Sequence, residues 1–256
     1  MSNRAPELFR FCVEAMDAGA LIQRQSAQDK EFALQEWVQA RLDEAGIAYV
    51  SPRRNTYPDF ALVDEPEGYE VKGLATHTPK GTPGRLSTYD SNSAIPMGEH
   101  QGRTIYCVFG RYPQSTSNTY PLHDLVVCHA DLLNPMRDYE HRNLNIPTFG
   151  AYGDLMIRDR KMYVVRTPYD IAEGTVDSRT LILPAGEAAP EGLVAVGRLE
   201  RVEAEKIPVG YRFDLRTNQM TVIEEDNPTG GTRHTFTAYR VTGEEEPPVT
   251  LSRRRE

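Results

Sequence analysis

One segment, YPDFALVDEPEGYEVKGL at residues 57–74, limits what this chain can fold into more than any other part of it. It contains two runs of apolar residues, 59–64 and 69–74, separated by the link EPEG. Pro and Gly in such a short link favour a turn. Pro58 restricts Tyr57 to extended backbone geometry directly before the first run. The segment therefore predicts a β-hairpin of two strands.

Three ionisable residues interrupt the apolar character of this hairpin. Asp59 opens the first strand, and Glu70 and Lys72 lie on the second. Side chains alternate between the two faces of a strand, so Glu70 and Lys72 project to the same face. A charged group in an apolar strand is costly unless it has a partner or a use. The hairpin is expected to bring two carboxylates and one ammonium group around one point.

These three groups match the chemistry of metal-assisted phosphodiester hydrolysis. Mg²⁺ prefers carboxylate, water and phosphate oxygens as ligands, and Asp59 and Glu70 supply two carboxylates. A bound metal ion lowers the pKa of a water molecule and polarises a phosphate oxygen. Lys72 is placed to orient the attacking water or to stabilise charge in the transition state. An alternative stays open, in which Glu70 and Lys72 occupy the solvated face of an edge strand and Asp59 caps a turn.

The arrangement Pro58-Asp59, ten further residues, then Glu70-Val71-Lys72 resembles the PD-(D/E)xK nuclease superfamily. The resemblance implies an α/β, restriction-endonuclease-like fold, in which helices flank a mixed sheet. It also implies that Asp59, Glu70 and Lys72 are catalytic, that Asp59 and Glu70 bind Mg²⁺, and that the substrate is double-stranded DNA.

Two further features of the superfamily concern helices. The helix before the first strand often supplies another acidic catalytic residue, and Glu31 is the first candidate here, followed by Gln35 and Glu36. The superfamily usually also has a core helix after the third strand, whereas residues 75–103 are rich in Thr, Ser, Gly and Pro. We interpret that stretch as a long functional loop, because structureless loops of this length are otherwise uncommon inside a domain.

The hydrophobic periodicity predicts the other elements. Apolar residues at helical spacing predict two N-terminal helices, at 6–25 and 26–45. Further strands are expected at 47–51, 104–112 and 124–133, and further hairpins at 155–165 and 209–225.

The chain is expected to have three parts. Residues 1–135 would form the nuclease core, with the N-terminal helices and the catalytic hairpin. Residues 136–242 would form an additional β-rich part for DNA recognition or dimerisation. Residues 243–256 are charged and contain Pro, and a disordered tail is expected there.

The distribution of charge is compatible with a DNA partner although the net charge is −8. Residues 71–166 hold 11 basic and 8 acidic side chains, whereas the segments on either side are net acidic. Because one active site per chain must meet two antiparallel DNA strands, a homodimer is expected. Side chains that follow the motif are the candidates for DNA contacts: Arg85, Asn92, Arg111, Arg158 and Lys161.

Composition argues against several other classes of protein. No apolar run approaches the roughly 20 residues that span a bilayer, and the N-terminus lacks a secretory pattern, so a cytoplasmic protein is expected. The three cysteines lack zinc-like spacing. The function expected from the motif is that of a type II restriction endonuclease. The alternatives are a repair, resolvase or other defence nuclease of the same superfamily, or a catalytically dead DNA-binding module.

Overall fold

The computed structural model describes residues 3–24, 32–50, 57–76, 88–91, 96–113, 117–135, 163–186 and 188–252. The helices are α1 (Ala5–Asp17), α2 (Ala33–Glu44) and α3 (Pro168–Ile171), with a 3₁₀ helix at Ala130–Leu132. The strands are β1 (Ile22–Gln23), β2 (Tyr49–Val50), β3 (Phe60–Leu62), β4 (Glu67–Thr76), β5 (Thr88–Ser91), β6 (Glu99–His100), β7 (Arg103–Pro113), β8 (Thr119–Tyr120), β9 (Asp124–His129), β10 (Tyr163–Arg166), β11 (Ala172–Glu173), β12 (Arg179–Pro184), β13 (Leu193–Val202), β14 (Lys206–Asp214), β15 (Gln219–Asp226), β16 (Arg233–Val241) and β17 (Thr250–Leu251). Within these ranges, none of the helices has the length and apolar character that crossing a bilayer requires.

Both N-terminal helices bury an apolar stripe. The buried side chains recur at helical spacing, with Leu8, Phe9, Cys12 and Val13 on α1, and Leu34, Trp37, Val38 and Leu42 on α2. Helix α1 ends at Asp17, earlier than expected, where Gly19 adopts a left-handed φ of 74°. Gly46, with a φ of 65°, follows the end of α2 as expected. The expected start of that helix at residue 26 lies outside the described residues.

The start of α1 is held by β4. The Glu67 carboxylate accepts hydrogen bonds from the backbone N–H of Arg4, at 3.0 and 3.2 Å, and from the Tyr69 hydroxyl, at 2.7 Å. A carboxylate at a helix N-terminus pairs with N–H groups that have no partner within the helix, and it interacts favourably with the helix dipole. This contact fixes α1 relative to the strand that carries Glu70 and Lys72.

The fold is α/β, and its centre is one large mixed sheet flanked by few helices. Among the described residues, nine strands belong to it, in the order β13-β16-β12-β9-β7-β4-β3-β2, with β6 paired to β7. Strand β4 runs antiparallel to β3 and parallel to β7, and β7 runs antiparallel to β9. The hairpin expected at 57–74 forms as β3 and β4, so the mixed sheet and its first hairpin agree with the sequence pattern.

The centre of this sheet is buried on both sides. The helix face, which α1 and α2 cover, carries Tyr69, Val71, Tyr106 and Val108. The far face carries Cys107, Phe109, Val126 and Cys128, which pack with the 3₁₀ helix, α3 and the C-terminal segment. A strand buried on both faces needs apolar residues at successive positions, which explains the continuous apolar runs in β7 and β9.

The sheet continues across the expected domain boundary at residue 135. Strand β12 pairs in parallel with β9, and β16 and β13 extend the sheet beyond β12. The hairpin expected at 209–225 is confirmed as β14 and β15, with Asn218 at a φ of 56° in its turn. The hairpin expected at 155–165 falls mostly outside the described residues, and residues 163–166 pair with β5.

Disorder was expected from residue 243, and residues of this segment contact the rest of the fold. Thr250–Leu251 pairs with β11, and Val249 is buried in the core of the far face. The buried Arg240 guanidinium donates a hydrogen bond to the carbonyl oxygen of Pro247. The charged composition of the segment favoured disorder, but one apolar anchor and these backbone contacts hold residues 247–251 against the sheet.

Gly197 in β13 lies directly beneath this segment. A Cβ at position 197 would approach the carbonyl oxygen of Val249 more closely than real Cβ atoms approach backbone atoms. We expect Gly197→Ala to displace the C-terminal segment and to lower the free energy of unfolding by about 1–3 kcal/mol. Thermal unfolding would measure the loss, and limited proteolysis would show faster cleavage near residue 249. An unchanged melting temperature with unchanged proteolysis would contradict this packing.

Candidate active site

The register of β3 and β4 places Asp59 beside Glu70. Phe60 pairs with Tyr69, so Asp59, the residue directly before β3, comes next to Glu70, the residue that follows Tyr69 in β4. The Asp59 carboxylate accepts a hydrogen bond from the backbone N–H of Val71, with a distance of 2.8 Å from N to Oδ2. This bond holds the Asp59 carboxylate against the middle of β4.

The chain passes close to itself at Gly68, and this close approach allows Asp59 to reach β4. A Cβ at position 68 would lie 2.5 Å from Cγ of Pro58 and 3.4 Å from the carbonyl oxygen of Phe60. Only glycine leaves room for the proline ring at that point. The Pro-Asp pair and the glycine of the EPEG link therefore belong to one local structure, which delivers Asp59 to β4.

Glu70 and Lys72 share the far face of the sheet. The Lys72 Nζ lies 3.2 Å from Oε1 of Glu70, and the Glu70 side chain is 7% exposed while that of Lys72 is 31% exposed. Their neighbours on β7 are Cys107 and Phe109, which belong to the core of the far face. The structure thus brings the three predicted residues to one place, with a buried carboxylate and a partly exposed ammonium group.

The charge state of Lys72 follows from its neighbours. Burial lowers the pKa of Lys72, but the charge and the hydrogen bond of Glu70 raise it, and the charge of Asp59 adds to the same effect. The net result is a pKa above the ordinary value for lysine. Lys72 is therefore a fixed positive charge at neutral pH.

Tyr57 is a neighbour of this site that the sequence analysis did not single out. Its ring packs edge-on against His100, with centroids 5.0 Å apart. Burial raises the pKa of the Tyr57 hydroxyl, and the nearby Cys107 and Glu70 raise it further. The available signal was its position immediately before Pro58, at the entrance to β3.

The donor set of this site fits Mg²⁺. Asp59 and Glu70 offer carboxylate oxygens, and Mg²⁺ is commonly bound by one or two carboxylates together with water and substrate phosphates. In the ranges listed above, no group of three or more His, Cys, Asp or Glu side chains is arranged to hold a metal ion. An ion at Asp59 and Glu70 would consequently depend on water and phosphate for its remaining ligands.

Helix α2 lies on the opposite side of the sheet from Glu70 and Lys72. Its Leu34 packs against Gly73 and Gly110 on the helix face. Gln35 is buried on this helix and Glu36 is exposed. The described part of α2 therefore brings neither alternative residue to the candidate site. Glu31, the first candidate for an additional acid, lies outside the described residues.

Of the five residues predicted to contact DNA, the structure describes Arg111. Arg111 is 6% exposed, so the structure places it in the interior and its predicted base contact stays a prediction. Its Nη1 lies 3.6 Å from Oδ2 of the fully buried Asp124, and its guanidinium carbon lies 5.0 Å from the centroid of the Tyr169 ring. The other candidates lie outside the described residues: Arg85, Asn92, Arg158 and Lys161.

Asp124 is the centre of this buried cluster. It accepts hydrogen bonds from the Tyr169 hydroxyl at 2.6 Å and from the backbone N–H of Asp177 at 3.0 Å. Burial raises the pKa of Asp124 to about 6, although Tyr169 and Arg111 act in the opposite direction. Arg111 thus serves to compensate a buried carboxylate that joins β9 to α3.

The chain matches no protein-family model, no curated protein and no solved structure.

We expect Arg111→Ala to act on stability and not on DNA recognition. Removing one member of a buried ion pair leaves the other uncompensated, so the free energy of unfolding should fall by about 3–5 kcal/mol. Denaturant unfolding would measure this loss. The double variant Arg111→Met with Asp124→Asn should recover much of it, because both charges are then removed together. If Arg111→Ala has normal stability but binds DNA more weakly, Arg111 contacts DNA and this expectation is wrong.

Proposed function

We propose that this chain is a Mg²⁺-dependent endodeoxyribonuclease of the PD-(D/E)xK type, and that it cleaves double-stranded DNA as a type II restriction endonuclease. The observation that carries the proposal is the convergence of Asp59, Glu70 and Lys72 on the far face of the sheet. The hydrogen bond from Val71 to Asp59 and the ion pair between Lys72 and Glu70 hold all three in place.

Each residue has a role that follows from its contacts. Mg²⁺ held by Asp59 and Glu70 would supply an activated water molecule and a polarised scissile phosphate. Asp59 is oriented by a backbone N–H, so its position does not depend on the ligand. Glu70 holds the ammonium group of Lys72, whose partly exposed side chain can contact a phosphate. Lys72 then stabilises negative charge that develops during the reaction.

The topology supports the same proposal. An antiparallel hairpin, β3 and β4, carries the motif, and β4 then pairs in parallel with β7. A mixed sheet with α2 before its first strands is consistent with a restriction-endonuclease-like core. The departure concerns the connection from β4 to β7, since no helix occurs in the part of that connection that the structure describes.

The test is incubation of the purified chain with phage DNA in the presence and absence of Mg²⁺. Discrete fragments that form only with Mg²⁺ would support a restriction endonuclease. A smear, or preference for branched or damaged DNA, would favour a repair, resolvase or other defence nuclease. DNA binding without any cleavage would favour a catalytically dead binding module.

We expect Asp59→Ala to abolish cleavage while DNA binding is largely retained, because phosphate contacts elsewhere carry most of the affinity. Asp64→Ala is the matched control, since Asp64 is an exposed carboxylate in the turn of the same hairpin. Gel-based cleavage and fluorescence anisotropy would measure the two properties separately. Normal cleavage by a purified Asp59→Ala protein would refute the assignment of Asp59 to the metal ion.

A second pair of variants tests the role of Lys72. Lys72→Ala removes the charge, and Lys72→Arg keeps it on a larger, planar group that is displaced from the ammonium position. Both should slow cleavage by roughly a hundredfold or more, the scale for losing one well-placed electrostatic group. Single-turnover kinetics would measure the rate, with thermal unfolding as a check on folding. If Lys72→Ala cleaves within a few-fold of the parent rate, Lys72 has no catalytic role.

A further inference from the structure

Strands β14 and β15 form a two-stranded sheet of their own. They leave the main sheet where β13 ends and β16 begins, and we call residues 206–226 the hairpin arm. Its base is anchored, since Val209 and Gly210 are buried and the N–H of Asn227 donates to the carbonyl oxygen of Glu205. Its outer half lacks such cover, and every residue of β15 except Ile223 is exposed.

One face of the outer half is apolar. Phe213 pairs directly with Met220, and Val222 lies two residues further along β15, so these three side chains project to the same side. They are 40%, 54% and 41% exposed, and Leu215 in the turn is 89% exposed. The opposite face carries polar side chains, which are Arg212, Asp214, Gln219 and Thr221.

This arrangement requires a partner for physical reasons. A two-stranded hairpin is at best marginally stable in water unless it packs against something else. A contiguous exposed apolar patch rimmed by polar residues is typical of an interaction site. The arm therefore resembles one half of an interface.

The charges of the arm indicate what covers it. Residues 206–226 contain three basic and four acidic side chains, so the arm lacks the basic excess that phosphate contacts need. Glu224 lies on the same side of β15 as Met220 and Val222, but closer to the base of the arm. At the other end, Arg216 lies in the turn with its side chain 91% exposed, and its contact with Asp214 is open to solvent. The apolar patch thus has opposite charges at its two ends.

We propose that the hairpin arm binds the same arm of a second copy of this chain. The two arms pack by their apolar faces in antiparallel orientation, with the two-fold axis near the pair Phe213 and Met220. Arg216 then faces Glu224 of the partner subunit, and the symmetry repeats this ion pair. An interface around a two-fold axis must be self-complementary, and a patch with opposite charges at its ends meets that requirement.

This inference does not rest on nuclease activity, because dimerisation can be measured without DNA or metal ion. It does supply the homodimer that cleavage of both strands of a duplex would use. Failure of the nuclease proposal would leave the dimer unaffected, and failure of the dimer would leave the chemistry of Asp59, Glu70 and Lys72 untouched.

The experiment is sedimentation velocity on the full chain and on complementary charge reversals. The parent chain should sediment as a dimer. Arg216→Glu and Glu224→Arg should each weaken dimerisation by about tenfold or more, since each turns two attractive contacts into repulsive ones. An equimolar mixture of the two variants should form a heterodimer in which both contacts are attractive again. Phe213→Ser with Met220→Ser should give a monomer that is folded by circular dichroism.

The matched controls are Arg212→Glu and Glu225→Arg, which reverse charges on the opposite face of the same strands. Both should leave dimerisation within about twofold of the parent, as exposed charges outside the contact have little effect. A monomeric parent chain would overturn the proposal. A dimer that survives the serine variant, or a mixture of Arg216→Glu with Glu224→Arg that stays monomeric, would overturn it equally. If the arm variants lose DNA binding while their oligomeric state is unchanged, the arm binds DNA and not a second copy of the chain.

Discussion

The burial of β4 on both of its faces determines how the rest of the molecule is arranged. Tyr69 and Val71 pack beneath the helices, while Glu70 and Lys72, the residues next to them, project to the far face. A shift of one residue in the register of β4 would place both charges against α2 and would move the tyrosine and the valine to the far face. Core packing and site geometry are therefore fixed by the same strand. The contact between Glu67 and the start of α1 adds a second restraint on this register.

The hairpin and its three polar residues were predictable because their geometry is local. Alternation along β4 is enough to place Glu70 and Lys72 together, and the Pro-Gly link is enough to return the chain so that Asp59 lies beside them. The same reasoning located β14 and β15 from a polar turn between two strand-like runs. In each case the relevant residues are fewer than about twenty positions apart, and the turn itself specifies the pairing.

What sequence reasoning missed depends on contacts between distant segments. Arg111 lies near the end of a predicted strand, and the sequence does not show that Asp124 and Tyr169 enclose it. The C-terminal segment has the composition of a disordered tail, and its order comes from Val249 and from the space above Gly197. The order of the sheet beyond β7 could not be predicted either, because β12 reaches β9 from about fifty residues further along the chain. The hydrophobic periodicity of α2 likewise did not show which side of the sheet this helix covers.

The hydrogen bond between Val71 and Asp59 makes the candidate site observable without any reaction. Val71 lies between Glu70 and Lys72 in the chain, and its backbone N–H donates a hydrogen bond to the Asp59 carboxylate. Its chemical shift in an amide NMR spectrum depends on how strongly that carboxylate accepts the bond. A cation or an added proton on Asp59 competes for the same electron density, so this one resonance reports on the carboxylate directly. Because the probe is a backbone group, it is retained in variants of the neighbouring side chains, and occupancy of the candidate site can be followed in each of them.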